Sequence, residues 1–305
     1  MSFNGLTRVQ LVALCKERGI RGYSTKRKDE LIALLDPSDS SDAVKTLTPL
    51  VKWCGGKGDE IKLFEQYIPT DYTRYIEPFM GGGAVYFHLA PTQATISDVH
   101  KELTDLYQSI KDGHAKEIYD FMVAHPNEEE TYYEVRDRMA VSTPLENAQR
   151  FFYLRKTCYR GMMRYNKQGK FNIPFGRYKN CTYEELLDPK YATLLERTEV
   201  LNADFETVFQ RYNDPGNFIF LDPPYDSVFT DYGYCQFGKA EHERLAQCFK
   251  ESRSRCLMVI GKTDFIEALY EGYIVDRYDK KYRFRLHSGR VGDEIDNVHL
   301  VIKNY

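Results

Sequence analysis

The chain's 305 residues, 42% of them hydrophobic, suffice for a full α/β domain with a sizeable core and a small accessory module. No apolar run approaches the roughly 18–20 residues of a membrane span, and the opening MSFNGLTRVQ lacks the apolar stretch of a secretory signal, so a soluble intracellular protein is expected. The net charge of −3 hides a segregation: residues 155–179 carry eight Lys/Arg and no acid, residues 277–290 carry +5 and residues 1–36 carry +3, leaving the remainder at −19.

Three basic stretches on an acidic body point to a polyanion-binding surface, although any one of them alone reads as a solvated face. The seven cysteines include no CxxC pair and the seven histidines no HxxxH pair, so reduced thiols and no metal site are expected. No long heptad or apolar patch signals an obligate oligomer, and a monomer or weak dimer is expected.

From the N-terminus, Leu6, Val9 (or Gln10), Leu11, Leu14 and Cys15 recur at helical spacing, with Gly19 as a C-cap. A second helix is predicted from an N-cap at Ser24 or Thr25 through Leu31, Ile32, Leu34 and Leu35. Residues 1–36 thus read as a two-helix module, and PSDSSDAVKTLT (37–48) as a polar linker. Beyond it, strands are predicted at Arg74–Pro78, Thr95–Asp98, Glu199–Ala203, Asn217–Leu221, Cys256–Ile260 and Tyr273–Arg277, with a closing antiparallel hairpin around Tyr282–Leu286 and Val298–Ile302. Helices are predicted at Asp59–Tyr67, Ala84–Leu89, Glu102–Lys111, Phe205–Tyr212, Ala240–Ser252 and Phe265–Tyr270. The alternation implies an α/β fold over 49–305: a Rossmann-like, doubly wound, mostly parallel sheet. Residues 105–195 break the rhythm with a long helical and basic stretch, read as an inserted recognition domain.

Three strand ends carry chemistry. In YIEPFMGGGAVYFHL (75–89) an acid ends the strand, and glycines 81–83 permit a sharp turn and close ligand approach. Such turns also occur in dehydrogenases and phosphate binders. In ATISDVH (94–100), Asp98 can accept hydrogen bonds from a ribose diol, or simply cap a helix. In FIFLDPPYD (218–226), two prolines end an apolar strand and leave Asp222 at its carboxyl end, where open α/β sheets keep their ligands.

DPPY resembles the signature of the amino-methyltransferases. Read in order with VKWCGGK (51–57), EPFMGGG (77–83) and the basic YLRKTCYRGMMRYNKQGKFNIPFGRYK (153–179), the chain from about residue 50 to its end resembles the Dam-type, or D12-class, DNA adenine-N6 methyltransferase family. The resemblance implies S-adenosylmethionine as cofactor, double-stranded DNA as partner, and methylation of a flipped-out adenine. It implies Asp222, Pro223, Pro224 and Tyr225 as the catalytic motif, with Tyr225 stacking on the base. Trp53, Lys57, Glu77, Phe79, Gly81, Gly83, Asp98, Asp204, Phe205 and Asp222 would surround the cofactor. Tyr159, Arg160, Met162 and Arg164 would meet bases, Lys52 would be a further DNA contact, and Lys167, Lys170, Arg177 and Lys179 would meet phosphates.

The family's Dam proteins carry Asn where Arg160 stands, Leu where Met162 stands, and DxN where this chain has Asp98-Val99-His100. Retention of Arg164 makes GATC the first expectation for the site, which the Arg160 departure leaves open. Residues 6–35 are similar to a SAP DNA-binding module, with Gly19, Gly22 and the Lys26–Lys28 cluster in fitting places. A SAP–methyltransferase fusion is compatible with a viral source. The alternatives are an RNA adenine-N6 methyltransferase and an inactive homologue that only binds DNA.

Overall fold

The computed structural model describes residues 6–17, 28, 31, 47–226, 237–282 and 295–305. Residues 1–46 and 47–305 form two compact units. In the first, Thr7 and Gln10 cap each other reciprocally, Thr7 N–H to Gln10 Oε1 at 2.9 Å and Gln10 N–H to Thr7 Oγ1 at 3.4 Å, at the start of α1 (Arg8–Glu17). Leu11 and Cys15, one turn apart, bury with Leu31. Val9, expected on that stripe, is instead 76% exposed, since a residue two positions from Leu11 faces the other side of a helix. Gly19, Gly22, the Ser24/Thr25 cap, Lys26 and Arg27 lie outside the described residues.

The second unit is built on β1 (Arg74–Glu77), β2 (Ala94–Ser97), β3 (Thr198–Leu201), β4 (Asn217–Leu221), β5 (Arg255–Gly261), β6 (Ile274–Tyr282) and β7 (Ile295–Lys303), in spatial order β3-β2-β1-β4-β5-β7-β6. β1–β5 pair in parallel; β7 is antiparallel to both β5 and β6. The first five strands fall within two residues of the predicted ranges. The last hairpin departs from expectation: Tyr273–Arg277 and Tyr282 are not two elements, because one long strand, β6, runs from Ile274 to Tyr282 against β7. The predicted residues 283–286 lie outside the described residues.

Side chains alternate across the sheet. Phe218 and Phe220 of β4 face one core, Ile219 and Leu221 the other; Leu257 and Val259 of β5 oppose Met258 and Ile260 in the same way. The first core is covered by α2 (Ile61–Phe64), α3 (Ala84–Leu89), α4 (Lys101–Lys111), α5 (Ala115–Ala124), α6 (Glu129–Asp137), α7 (Pro144–Thr157) and α8 (Pro189–Glu196). The second is covered by α9 (Phe205–Arg211), α10 (Lys239–Glu251) and α11 (Asp264–Leu269). Helices on both faces of a mainly parallel sheet make a three-layer, Rossmann-like α/β fold.

The predicted helix over 59–67 is shorter and splits into α2 and a 3-10 turn at Glu65–Tyr67. Residues 105–195 do not have a core of their own: Ile118, Tyr132, Phe152 and Leu194 belong to the same buried cluster as Phe218 and Phe220 of the sheet. Strand order reverses between β1 and β4, so a crevice is set at their carboxyl ends, beyond Glu77 and Leu221.

Candidate active site

Pro223 and Pro224 stop β4 because neither can supply the N–H that a central strand requires. The chain therefore turns away just after Leu221, leaving Asp222 at the sheet's carboxyl edge. Its Oδ1 accepts from Lys57 Nζ at 2.5 Å, and the same ammonium donates to Gly55 O at 3.1 Å. Lys57 is buried, whereas one-fifth of the Asp222 side chain remains accessible. Burial raises the carboxyl's pKa, and the Lys57 charge and hydrogen bond oppose that rise. Lys57, expected near the cofactor, is thus also the ion-pair partner of the DPPY acid.

The Lys57 ammonium lies 5.1 Å from the Tyr225 ring centroid, and the His299 ring of β7 meets Tyr225 edge-on at 5.4 Å. Asp226 is anchored by Thr263 Oγ1 at 2.9 Å, the residue that also caps α11. The DPPYD segment is therefore held at both ends.

On the neighbouring loops, Gly81 has φ +49°, and a Cβ there would stand 2.7 Å from Trp53 Cδ1. Only glycine lets the tryptophan lie against this turn. Gly81 N–H donates to Asp98 Oδ2, and His100 N–H to Asp98 Oδ1, both at 2.9 Å. Asp98 thus braces the glycine turn after β1 from the end of β2. Burial moves its pKa up to about 6 and that of Glu77 to about 8; Tyr75 Oη donates to Glu77 at 2.8 Å and lowers the latter shift. Phe79, partly exposed, tilts against Phe205 at 5.4 Å and forms an edge-to-face pair with Phe237 at 5.7 Å. Asp204, expected beside the cofactor, also has partners within the chain: its oxygens accept from Arg244 at 2.8 and 3.0 Å and from Glu206 N–H at 3.0 Å, so it caps and pins α9.

His100 replaces the expected asparagine without losing its cap. Its Nδ1 accepts from Leu103 N–H at 3.3 Å, which puts the proton on Nε2, 2.9 Å from Tyr165 Oη. Burial, with the nearby Arg155 charge, lowers its pKa to about 3 and keeps the ring neutral. Tyr165 in turn donates to Glu102.

The segment 158–176 folds as a narrow ladder. Tyr159 N–H donates to Pro174 O, Asn172 N–H to Arg164 O and Asn166 N–H to Lys170 O. Arg160, Met162 and Arg164 are exposed, and Lys167 and Lys170 stand exposed at the tip. Arg160 sits at φ 56°, a left-handed corner rarely taken by residues other than glycine. Arg164 Nε is held by Asn172 Oδ1 at 2.8 Å. Not all of the basic residues in 155–179 are free to meet a polyanion: Arg155 is buried, Lys156 pairs with Glu185, and exposed Arg177 pairs with Glu129 at 3.0 Å. Lys179 is exposed.

Arg155 carries no residue-level signal in the sequence beyond its charge, yet it joins two loops. Its Nη1 donates to Met162 O at 2.7 Å, its Nη2 to Lys52 O, and its guanidinium lies 5.6 Å from the Trp53 ring. Exposed Lys52 packs along Gly161, where a Cβ would stand 3.0 Å from Lys52 Cδ. The sequence also conceals Glu60, 3% exposed, whose carboxylate accepts from His299 Nδ1 at 2.8 Å, Tyr278 Oη at 2.9 Å and Lys280 Nζ at 3.0 Å. Burial would raise its pKa, but His299, Lys57 and Lys280 bring it down to about 2. Among the described residues there is no cluster of His, Cys, Asp and Glu able to hold a metal, and no helix long and apolar enough to cross a membrane.

The structure thus brings residues 52–57, 77–83, 98–100 and 222–226 together at the carboxyl edge of the sheet. Residues 4–36 match the model of the Rho termination factor N-terminal domain. The chain is 58% identical over 261 residues to Type II methyltransferase M.CviBI of Paramecium bursaria Chlorella virus NC1A, covering 85% of this chain and 100% of that protein. It is 32% identical to Type II methyltransferase M.MjaIII of Methanocaldococcus jannaschii, over 84% of this chain and 99% of that one. Its identity to the DNA adenine methylase of Haemophilus influenzae is 30%, over 73% and 83% respectively. Residues 53–286 match the model of the D12 class N6 adenine-specific DNA methyltransferases, and the chain belongs to that family.

Proposed function

We propose that this chain transfers a methyl group from S-adenosylmethionine to the exocyclic N6 of an adenine flipped out of double-stranded DNA. The observation that carries this reading is the Lys57–Asp222 pair beside Tyr225 at the strand-order reversal.

The residues present suit the cofactor. Gly81 keeps its turn open against Trp53, Asp98 braces that turn, and Phe79 with Phe205 offers an aromatic edge for a purine. When bound, the cofactor supplies an activated methyl on a sulfonium, so the protein needs positioning and electrostatics rather than a nucleophile of its own.

The adenine amine is a weak nucleophile because its lone pair is delocalised into the ring. Asp222 Oδ2, the oxygen not taken by Lys57, and the Pro223 carbonyl would accept its two N–H bonds and turn the lone pair toward the methyl. As the C–N bond forms, positive charge grows on N6, and the carboxylate stabilises it. The same carboxylate stands in line to receive the proton that N6 sheds. Lys57 keeps Asp222 ionised for this task, and Tyr225 stacks on the base.

Tyr159, Arg160, Met162 and Arg164 would read or wedge apart bases, Lys52 would make a further DNA contact, and Lys167, Lys170, Arg177 and Lys179 would touch phosphates. The basic module at 1–36 would add a second nucleic-acid contact on the 37–48 tether, raising local concentration without setting sequence choice. The likeness to a chlorella-virus protein supports a viral source.

Sequencing of modified DNA tests the site preference, with GATC as the expected motif. Incubation with labelled cofactor and DNA or RNA in parallel tests the substrate; label confined to RNA would refute the proposal.

A further inference from the structure

Two residues flank the Tyr225 ring: the Lys57 ammonium at 5.1 Å from its centroid, and the His299 ring, perpendicular at 5.4 Å. They come from opposite ends of the chain, and Glu60 is tied to both. Its backbone N–H donates to Lys57 O at 2.8 Å, closing the turn on which Lys57 stands. Its carboxylate accepts from His299 Nδ1 at 2.8 Å, and so fixes the rotation of the imidazole that faces Tyr225. Tyr278 and Lys280 of β6 complete the shell at 2.9 and 3.0 Å, and the Tyr278 ring packs against His299 at 5.4 Å. Glu60 is 3% exposed and His299 fully buried, so this contact set is a built site rather than a surface pairing.

We propose that Glu60 and His299 are positioning residues for transfer, holding the Tyr225 ring in the plane where it stacks on the flipped base; this rests on the stacking role proposed above for Tyr225. Neither residue touches substrate. Glu60 joins the Lys57 turn to the β6–β7 hairpin, and Tyr225 lies between the two parts it joins. A structural ion pair would need neither an aromatic partner nor a link to Lys57; here both are present at one carboxylate. The network is built of residues that sequence patterns do not mark: Glu60 reads as an ordinary acid near the start of the helix predicted over 59–67, and His299 as one more residue of an apolar strand.

The test is a double-mutant cycle read by single-turnover methylation of a duplex carrying the protein's site. Glu60→Gln keeps the shape and removes the charge; it should slow transfer about 10- to 100-fold, the scale of a small misplacement at a reacting centre, while the cofactor KM changes less than about twofold. In a Tyr225→Ala background the same substitution should slow transfer by less than about twofold, because the ring through which Glu60 acts is gone. His299→Gln, which preserves a donor toward Glu60 but removes the ring, should also slow transfer and should alter the emission of 2-aminopurine at the target position at saturating protein. If Glu60→Gln does not fold, the His299→Gln cycle with Tyr225→Ala decides alone. Equal slowing in both backgrounds, or unchanged rates and emission in the single variants, would overturn the positioning role. Full activity in Asp222→Ala would instead overturn the reading on which it rests.

Discussion

The Lys57 ammonium meets the Asp222 carboxylate at 2.5 Å across 165 residues of sequence, and that contact joins the KWCGGK loop to the DPPY strand end. A buried cation beside a carboxylate favours the ionised acid, the form that can accept an amine N–H. Lys57→Met removes this support while burial continues to raise the Asp222 pKa. The acid limb of the kcat–pH profile should then move to higher pH, and kcat at neutral pH should fall by at least about tenfold. An acid limb at the same pH in both proteins would remove Lys57 from this role.

Glu77 offers a stability measurement with a definite sign. Its folded pKa of about 8 lies above its ordinary value of 4.5, chiefly through burial. Its contribution to stability is therefore complete below about pH 4.5 and is lost as pH rises toward 8, with a slope no steeper than about 1.4 kcal/mol per pH unit. Glu77→Gln has no such loss. Thermal unfolding should show the variant gaining on the parent between pH 5 and 8, and the difference levelling above 8.

Trp53 is the chain's single tryptophan, so its fluorescence reports on one place. Cofactor binding beside the Gly81 turn should change its emission. Gly81→Ala places a Cβ 2.7 Å from the indole on a left-handed backbone, and titration should show cofactor affinity weakened more than about tenfold. Undiminished affinity in the variant would show that the turn does not form the cofactor cradle.

Much of this site was legible because the chain's local chemistry marks it. Strand ends are punctuated by Pro223-Pro224 and by glycines 81–83, and each leaves an acid or aromatic at the sheet edge. The five parallel strands were legible for the same reason: β4, buried on both faces, reads as the unbroken apolar run Phe218–Leu221. The long β6 was not, because Lys280 and Lys281 look like loop residues until Glu60 and the pairing with β7 are in view. Arg155 and Glu60 were missed for a related reason. A charge in a polar stretch gives no sign of burial, and their partners, the Lys52 carbonyl and His299, lie 103 and 239 residues away. Asp204 was legible as a strand-end acid but not as the partner of Arg244.

His100 and Tyr165 link the second strand's end to the ladder of residues 158–176. Tyr165→Phe removes that bond and the one to Glu102, leaving the ring's packing in place. A loss of about 1–3 kcal/mol in stability is expected, measured by denaturant unfolding. His100→Asn keeps an acceptor for the Leu103 N–H and should cost less than His100→Ala, which leaves the start of α4 uncapped.

If the proposed DNA contacts hold, variants of Arg164 and of the ladder-tip lysines should separate specificity from affinity. Arg164→Ala should relax discrimination at one base pair on sequencing of modified DNA, at about 1–3 kcal/mol. Lys167→Ala and Lys170→Ala should weaken binding on all sequences alike and each reduce the salt slope by about one. A shifted site preference in the lysine variants would exchange these assignments.

The most direct measurement is nucleoside analysis of unmethylated duplex DNA incubated with S-adenosylmethionine and either the protein or its Asp222→Ala variant. N6-methyladenine formed by the parent and lost in the variant is the predicted result. Its absence with the parent, or its persistence in Asp222→Ala, would contradict the account.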